Sequence, residues 1–277
     1  MITKLKAQQF TAVPYLETSS LMLHNKELVF STTKPNVIVG QNGAGKSALL
    51  KALGLYTMSF YMGHSSLDEK YLDRKLWSTQ CGWRNEYEFL KGLVIESDMA
   101  PALFYKPNTF PGDDVSVSHS MVCGYFAEAR EYAKRTEHKS SGQKSSEILS
   151  DVIKMLTTPH ELAYGLANWR YGRESIEVDR RVYTGDYQFK SEILKARATH
   201  RCNVVPTVLL DEPEQSLDTL SEAKLWKLFA SMDCTKSQLI VSTHSTYPFL
   251  HQEKFHLIEA TPNYVEQVQN LLAWEES

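Results

Sequence analysis

The chain of 277 residues suits one large domain or two small ones, and its 42% hydrophobic and 23% charged residues are the proportions of an ordinary globular protein. A formal net charge of -3 removes any global electrostatic drive toward nucleic acid or an anionic membrane and leaves only local patches. No stretch reaches the run of about eighteen apolar residues that spans a membrane, and the first residues lack the apolar core of a secretion signal. Cys81, Cys123, Cys202 and Cys234 form no metal-type pair, so a cytoplasmic protein with free, structural thiols is expected.

In chain order, short strands are expected around Ile2–Phe10, Glu27–Phe30 and Val37–Val39, with Pro14, Asn25 and Pro35 supplying turns between or beside them. A helix then runs from the glycine-rich turn to about Met62, followed by polar and mixed sequence through Leu76. Glu86–Phe89 and Leu93–Ile95 read as two more strands, and residues 106–120 have the composition of a surface loop. Met121, Tyr125, Ala129 and Tyr132 recur at helical spacing, which predicts a helix from Met121 to His138, and Ser145–Leu156 predicts another. Strong patterning returns with a strand over Val204–Asp211, a helix from about Leu220 to Met232, and a strand over Gln238–Val241. Phe255–Ile258 and Tyr264–Ala273 read as a last strand and a last helix. Alternation of strand and helix argues for an α/β layer architecture in one domain over residues 1–277.

Gly40-Gln41-Asn42-Gly43-Ala44-Gly45-Lys46-Ser47 reads Gly-x4-Gly-Lys-Ser between the apolar run Val37–Val39 and a helix-forming stretch. That is the context a phosphate-binding loop requires. Glycines let backbone N–H groups, those of Asn42 and Ala44 included, close on a phosphate, and the helix start adds its positive end. Lys46 is expected at the β- and γ-phosphates of ATP, and the Ser47 hydroxyl at Mg²⁺. Val208-Leu209-Leu210-Asp211-Glu212 is a buried-type strand ending in two carboxylates. Alone it would be a strand end with solvated acids. Beside a P-loop, Asp211 is expected to bind Mg²⁺ directly or through water, and Glu212 to act as the general base for an attacking water. Ser242-Thr243-His244-Ser245 ends the next apolar strand and sets His244 at the lip of the same sheet, within reach of the γ-phosphate.

P-loop, Lys139-Ser140-Ser141-Gly142-Gln143, Leu209–Pro213, Ser216-Leu217-Asp218 and Ser242–Ser245 follow the motif order of the ATP-binding cassette ATPases, which the chain resembles through most of its length. Asp211–Asp218 resembles their Walker B and D-loop run, and Lys139–Gln143 their Leu-Ser-Gly-Gly-Gln signature, with Lys139 and Ser141 departing from it. The resemblance is to the compact soluble branch related to chromosome-maintenance and break-repair ATPases. It implies a P-loop fold with a mixed central sheet, flanking helices and a helical signature region at about residues 121–203. It also implies a homodimer that sandwiches two ATP molecules head to tail, with Ser140, Gly142 and Asp218 of one subunit at the nucleotide of the other. DNA, or an effector such as a nuclease or toxin, is then the expected partner, in DNA repair or defence against phage. Two other readings are the energy subunit of a membrane transporter and a nucleotide switch with little turnover. The altered signature and the weak context of Gln80, the candidate glutamine-loop residue, count against the transporter. Tyr15 or Phe30 is the candidate for stacking on adenine.

The short interval between P-loop and signature leaves no room for long coiled-coil arms. Residues 157–203 hold Arg170, Arg173, Arg180, Arg181, Lys190, Lys195, Arg197 and Arg201 among Trp169, Tyr171, Tyr183, Tyr187 and Phe189. Such a mixture can suit nucleic acid, but Glu174, Glu177, Asp179, Asp186 and Glu192 dilute it, and a solvated insertion or a protein-docking surface is the plainer expectation.

Overall fold

The computed structural model describes residues 1–7, 18–56, 60–61, 93–98, 102–107, 134, 137–157, 205–215 and 217–273. Its strands are β1 (Ile2–Ala7), β2 (Glu27–Val29), β3 (Asn36–Val39), β4 (Phe60–Tyr61), β5 (Leu93–Ser97), β6 (Ala102–Tyr105), β7 (Thr207–Asp211), β8 (Gln238–Ser242) and β9 (His256–Glu259). Its helices are α1 (Ser20–His24), α2 (Lys46–Tyr56), α3 (Ser141–Thr157), α4 (Thr219–Ala230), α5 (Tyr247–Leu250) and α6 (Tyr264–Leu272).

Six strands form one sheet in the order β4-β6-β7-β8-β3-β9, and each neighbouring pair is parallel. Every residue of β3, β6, β7 and β8 is buried. Burial on both faces explains why these segments read as continuous apolar runs rather than alternating ones. The α/β architecture is therefore as expected, but the sheet expected to be mixed is parallel among the described residues. The antiparallel pairs instead make a second, three-stranded sheet, β2-β1-β5. Gln238 stitches the two sheets together: its Oε1 accepts from the Ile2 N–H at 2.7 Å and its Nε2 donates to the Ile2 carbonyl at 2.6 Å. The same Oε1 accepts from the Thr207 hydroxyl at 3.0 Å, so the buried amide leaves neither end unpaired.

On one face of the large sheet, α4 buries Leu225, Trp226 and Phe229. Trp226 meets Phe229 and Phe255 edge-on, with centroids 5.4 and 5.6 Å apart, and stacks on Tyr247. Helix α3 joins the same core through Leu149, Ile153 and Leu156, spaced to fall on one helical face. Cys234 is free and buried in this core, where burial pushes its thiol up to about 11 and keeps it unreactive. No helix among the described residues is long and apolar enough to cross a membrane.

Several boundaries depart from expectation. Helix α2 ends at Tyr56 rather than near Met62, and Phe60 and Tyr61 instead pair with Leu103 and Phe104 at the sheet edge. Strand β6 and the five-residue α1 fall where no element was expected. Helix α3 begins at Ser141, so most of the signature-like segment lies in its first turn. The expected strand at Glu86–Phe89, Gln80, Tyr15, residues 158–203 and all of the helix Met121–His138 except Lys134, Glu137 and His138 lie outside the described residues.

Candidate active site

Strands β6, β7, β8 and β3 lie side by side, and the chain leaving the carboxyl end of each contributes to one cluster. Carboxyl ends of parallel strands are where open α/β sheets place their ligand sites. After β3, the backbone turns through Gly43 and Gly45 at φ +76° and +101° into α2. A Cβ on Gly45 would stand 2.7 Å from Ser19 Cβ, so the loop packs against the start of α1 only with glycine there. The Ala44 carbonyl accepts from the Leu21 N–H at 3.0 Å and fixes the loop from the same side. The first helical bond runs from Leu49 N–H to the Gly45 carbonyl at 2.9 Å. The N–H groups of Lys46, Ser47 and Ala48 precede it and point out of the helix start, forming a ready anion cradle. Asn42 and Gly43 are exposed at the rim, and Ala44 is buried beneath them.

Lys46 is 4% exposed. Its ammonium donates to the carbonyls of Gly40 and Gln41 at 2.9 and 3.0 Å and meets His244 Nε2 at 3.1 Å. Burial lowers its pKa, while the nearby Glu212, Asp211 and Glu214 charges oppose that shift. Asp211, fully buried at the end of β7, accepts from the Ser47 and Ser242 hydroxyls through Oδ1 at 2.8 and 2.6 Å. Its Oδ2 pairs with Lys106 Nζ at 3.0 Å. The buried carboxylate is thus compensated by one cation and two hydroxyls, the condition for keeping such a charge out of water.

Glu212 follows at φ +52°, a left-handed conformation that costs a non-glycine residue about 1–3 kcal/mol. Its N–H donates to the Ser242 carbonyl at 2.9 Å, and the turn brings its Oε1 to 3.3 Å from His244 Nε2. The two contacts of Nε2 are alternatives. Toward the Lys46 ammonium the nitrogen must offer a lone pair; toward Glu212 it must offer a proton. Glu214 sets the histidine turn from behind: its Oε1 accepts from the Thr243 hydroxyl and, at 3.2 Å, from the His244 N–H. Its Oε2 is buried with no partner among the described residues, and burial is the chief cause of a raised pKa.

No family model matches the chain, and no curated protein matches it.

The sequence-derived residues Gly40, Lys46, Ser47, Asp211, Glu212 and His244 therefore meet through direct contacts in this one cluster. Ser140, Gly142 and Asp218 take up other work within the chain. Ser140 caps α3 in a reciprocal box: its N–H donates to Gln143 Oε1 at 2.9 Å, and its Oγ accepts from the Gln143 N–H at 3.4 Å. Gly142 sits half-buried in that first turn. Asp218 caps α4, accepting from the N–H groups of Leu220 and Ser221 and from the Ser221 hydroxyl, which together lower its pKa. Both caps are exposed. Phe30 is 3% exposed in the core, which removes it as a surface for adenine.

Sequence reasoning missed Lys106, Ser242 and Glu214. Lys106 falls at the start of the 106–120 stretch expected as a loop, although the apolar Ala102–Tyr105 run before it carries the signal of a short buried strand.

The residues present suit Mg²⁺ with a nucleotide. Ser47 and Asp211 offer hard oxygen donors, and the described residues contain no group of three or more His, Cys, Asp or Glu that could cage a metal alone. Mg²⁺ characteristically keeps waters and phosphate oxygens as its remaining ligands.

Proposed function

We propose that the chain binds ATP with Mg²⁺ and hydrolyses it, as an ATPase of the ATP-binding cassette type. The observation that carries this reading is the contact chain Ser47–Asp211 and Lys46–His244–Glu212 at the carboxyl ends of adjacent parallel strands. A phosphate-loop lysine and serine, a buried acid and a second acid beside a histidine are the parts that phosphoryl transfer to water requires.

Lys46 exchanges its two carbonyl contacts for β- and γ-phosphate oxygens, and the N–H groups at the start of α2 receive the same phosphates. That exchange releases His244 Nε2 from the ammonium. The ring is then able to carry a proton on Nε2 and offer it to Glu212 or to a γ-phosphate oxygen. Glu212 orients a water in line with the γ-phosphorus and takes its proton as the new P–O bond forms and the bond to the bridging oxygen breaks. Ser47 and Asp211 would hold Mg²⁺, which when bound would supply positive charge to offset that of the phosphates. Glu214 keeps the Thr243–His244 turn, and hence the ring, in place.

The wider role follows from the resemblance. The head-to-tail homodimer with ATP between subunits rests on that resemblance, and the exposed Ser140 and Asp218 at two helix starts are accessible to a second subunit. Such a dimer would act on DNA or on an effector protein. Glu212→Gln, mixed with Mg²⁺ and ATP, is expected to elute as a dimer in size-exclusion chromatography, and the same protein without nucleotide as a monomer. Elution of both as monomers while ATP remains bound would remove the sandwich and leave a monomeric ATPase.

A further inference from the structure

We infer that Lys106 is a built-in counter-cation of the nucleotide site that competes with Mg²⁺ for Asp211 and allows ATP to bind without metal. The inference rests on the ATPase reading above and deepens it. The parallel register of β6 and β7 pairs Tyr105 with Leu210, so the next residues, Lys106 just past β6 and Asp211 at the end of β7, lie side by side. Lys106 Nζ lies 3.0 Å from Asp211 Oδ2, and the lysine side chain is 33% exposed while the aspartate is fully buried.

The two carboxylate oxygens are divided. Oδ1 is taken by the Ser47 and Ser242 hydroxyls, so the ammonium holds the remaining oxygen. A divalent cation drawn to Ser47 and Asp211 therefore approaches a carboxylate that is already neutralised. It must either displace the ammonium or bear its repulsion at close range, where low local polarity strengthens the effect. The lysine is flexible and partly exposed, so displacement is the easier course. Once released, it remains at the edge of the phosphate cradle and has three donors for a phosphate oxygen. Without metal, Lys106 stays on Asp211 and cancels its charge, so the Lys46 ammonium faces the phosphates without that repulsion beside it. Metal-free ATP, which carries more negative charge than its Mg²⁺ complex, gains most from the cancelled carboxylate.

The test is titration with a fluorescent ATP analogue, once in excess EDTA and once across a Mg²⁺ series. Wild-type protein is expected to bind the analogue in EDTA. Lys106→Met should weaken that metal-free binding by about tenfold or more, the loss of one charge-assisted contact. The same variant should need less Mg²⁺ to reach half-maximal binding. Lys106→Arg, which keeps the charge, should resemble wild type in EDTA. Wild-type binding that vanishes in EDTA overturns the inference without any variant. Unchanged EDTA binding and unchanged Mg²⁺ dependence in a folded Lys106→Met also overturn it. In both cases Lys46-dependent binding of the Mg²⁺ complex would leave the ATPase reading standing. Failure of wild-type protein to bind the analogue under any condition would instead overturn that reading itself.

Discussion

Gly45→Ala probes the local packing that shapes the glycine-rich loop. At φ +101°, an alanine carries backbone strain of about 1–3 kcal/mol. Its Cβ would also stand 2.7 Å from both the Cβ and the Oγ of Ser19. Ser19 is 4% exposed at the start of α1 and cannot move its Cβ without moving that helix, so overpacking adds about another 1–3 kcal/mol. The expected destabilisation is about 2–6 kcal/mol, a large share of the roughly 5–15 kcal/mol that holds a typical domain together. Gly43→Ala provides the internal comparison. Its φ is +76° but its Cβ would meet nothing within 4 Å, so only the backbone cost of about 1–2 kcal/mol applies. Urea unfolding without nucleotide measures both. A double-mutant cycle with Ser19→Gly, itself worth a few tenths of a kcal/mol as a cap change, should recover the overpacking share, about 1–3 kcal/mol. Equal costs for the two glycines, or additivity of Gly45→Ala with Ser19→Gly, would refute the close approach of loop and α1.

Two further predictions concern neighbouring parts. Burial raises the Glu214 pKa in the folded chain, so the native state holds its proton more tightly than the unfolded state. Its contribution to stability is therefore greatest below the ordinary carboxylate range and is lost as pH rises through the raised native value. Glu214→Gln cannot ionise and should remove that decline, gaining on wild type in urea unfolding as pH rises above the ordinary carboxylate range; a pH-independent difference would contradict this. Ser140→Ala removes one half of the α3 capping box and should cost about 1 kcal/mol in the same assay, while Ser140→Gly should cost only a few tenths. No loss in Ser140→Ala would mean that the hydroxyl does not cap the helix.

The contiguous motifs were readable because each depends on short-range chemistry. Gly40–Ser47, Asp211-Glu212 and Ser242–Ser245 each end a short apolar run bounded by turn residues, the pattern of a buried strand, and all three meet at the carboxyl end of the large sheet. What the sequence hid is long-range pairing. Nothing local says that Ala102–Tyr105 lies against Thr207–Leu210, yet that register alone carries Lys106 to Asp211. Likewise, the split into a parallel and an antiparallel sheet depends on which strands meet, and the buried Gln238 amide that joins the two through Ile2 is equally long-range. Helix α1 went unread because five residues are too few to display a helical period. Ser140 and Asp218 are candidates for a nucleotide site only through resemblance, and their contacts within the chain are those of caps.

The most direct test of the central claim is Mg²⁺-dependent ATP turnover by wild-type protein and by Glu212→Gln, with nucleotide binding measured on the same samples. Loss of a positioned general base should lower turnover by about 10²–10⁴-fold while ATP binding persists. Turnover of ATP by Glu212→Gln at the wild-type rate, or none by either protein, would contradict the assignment of this cluster as an ATP-hydrolysing site.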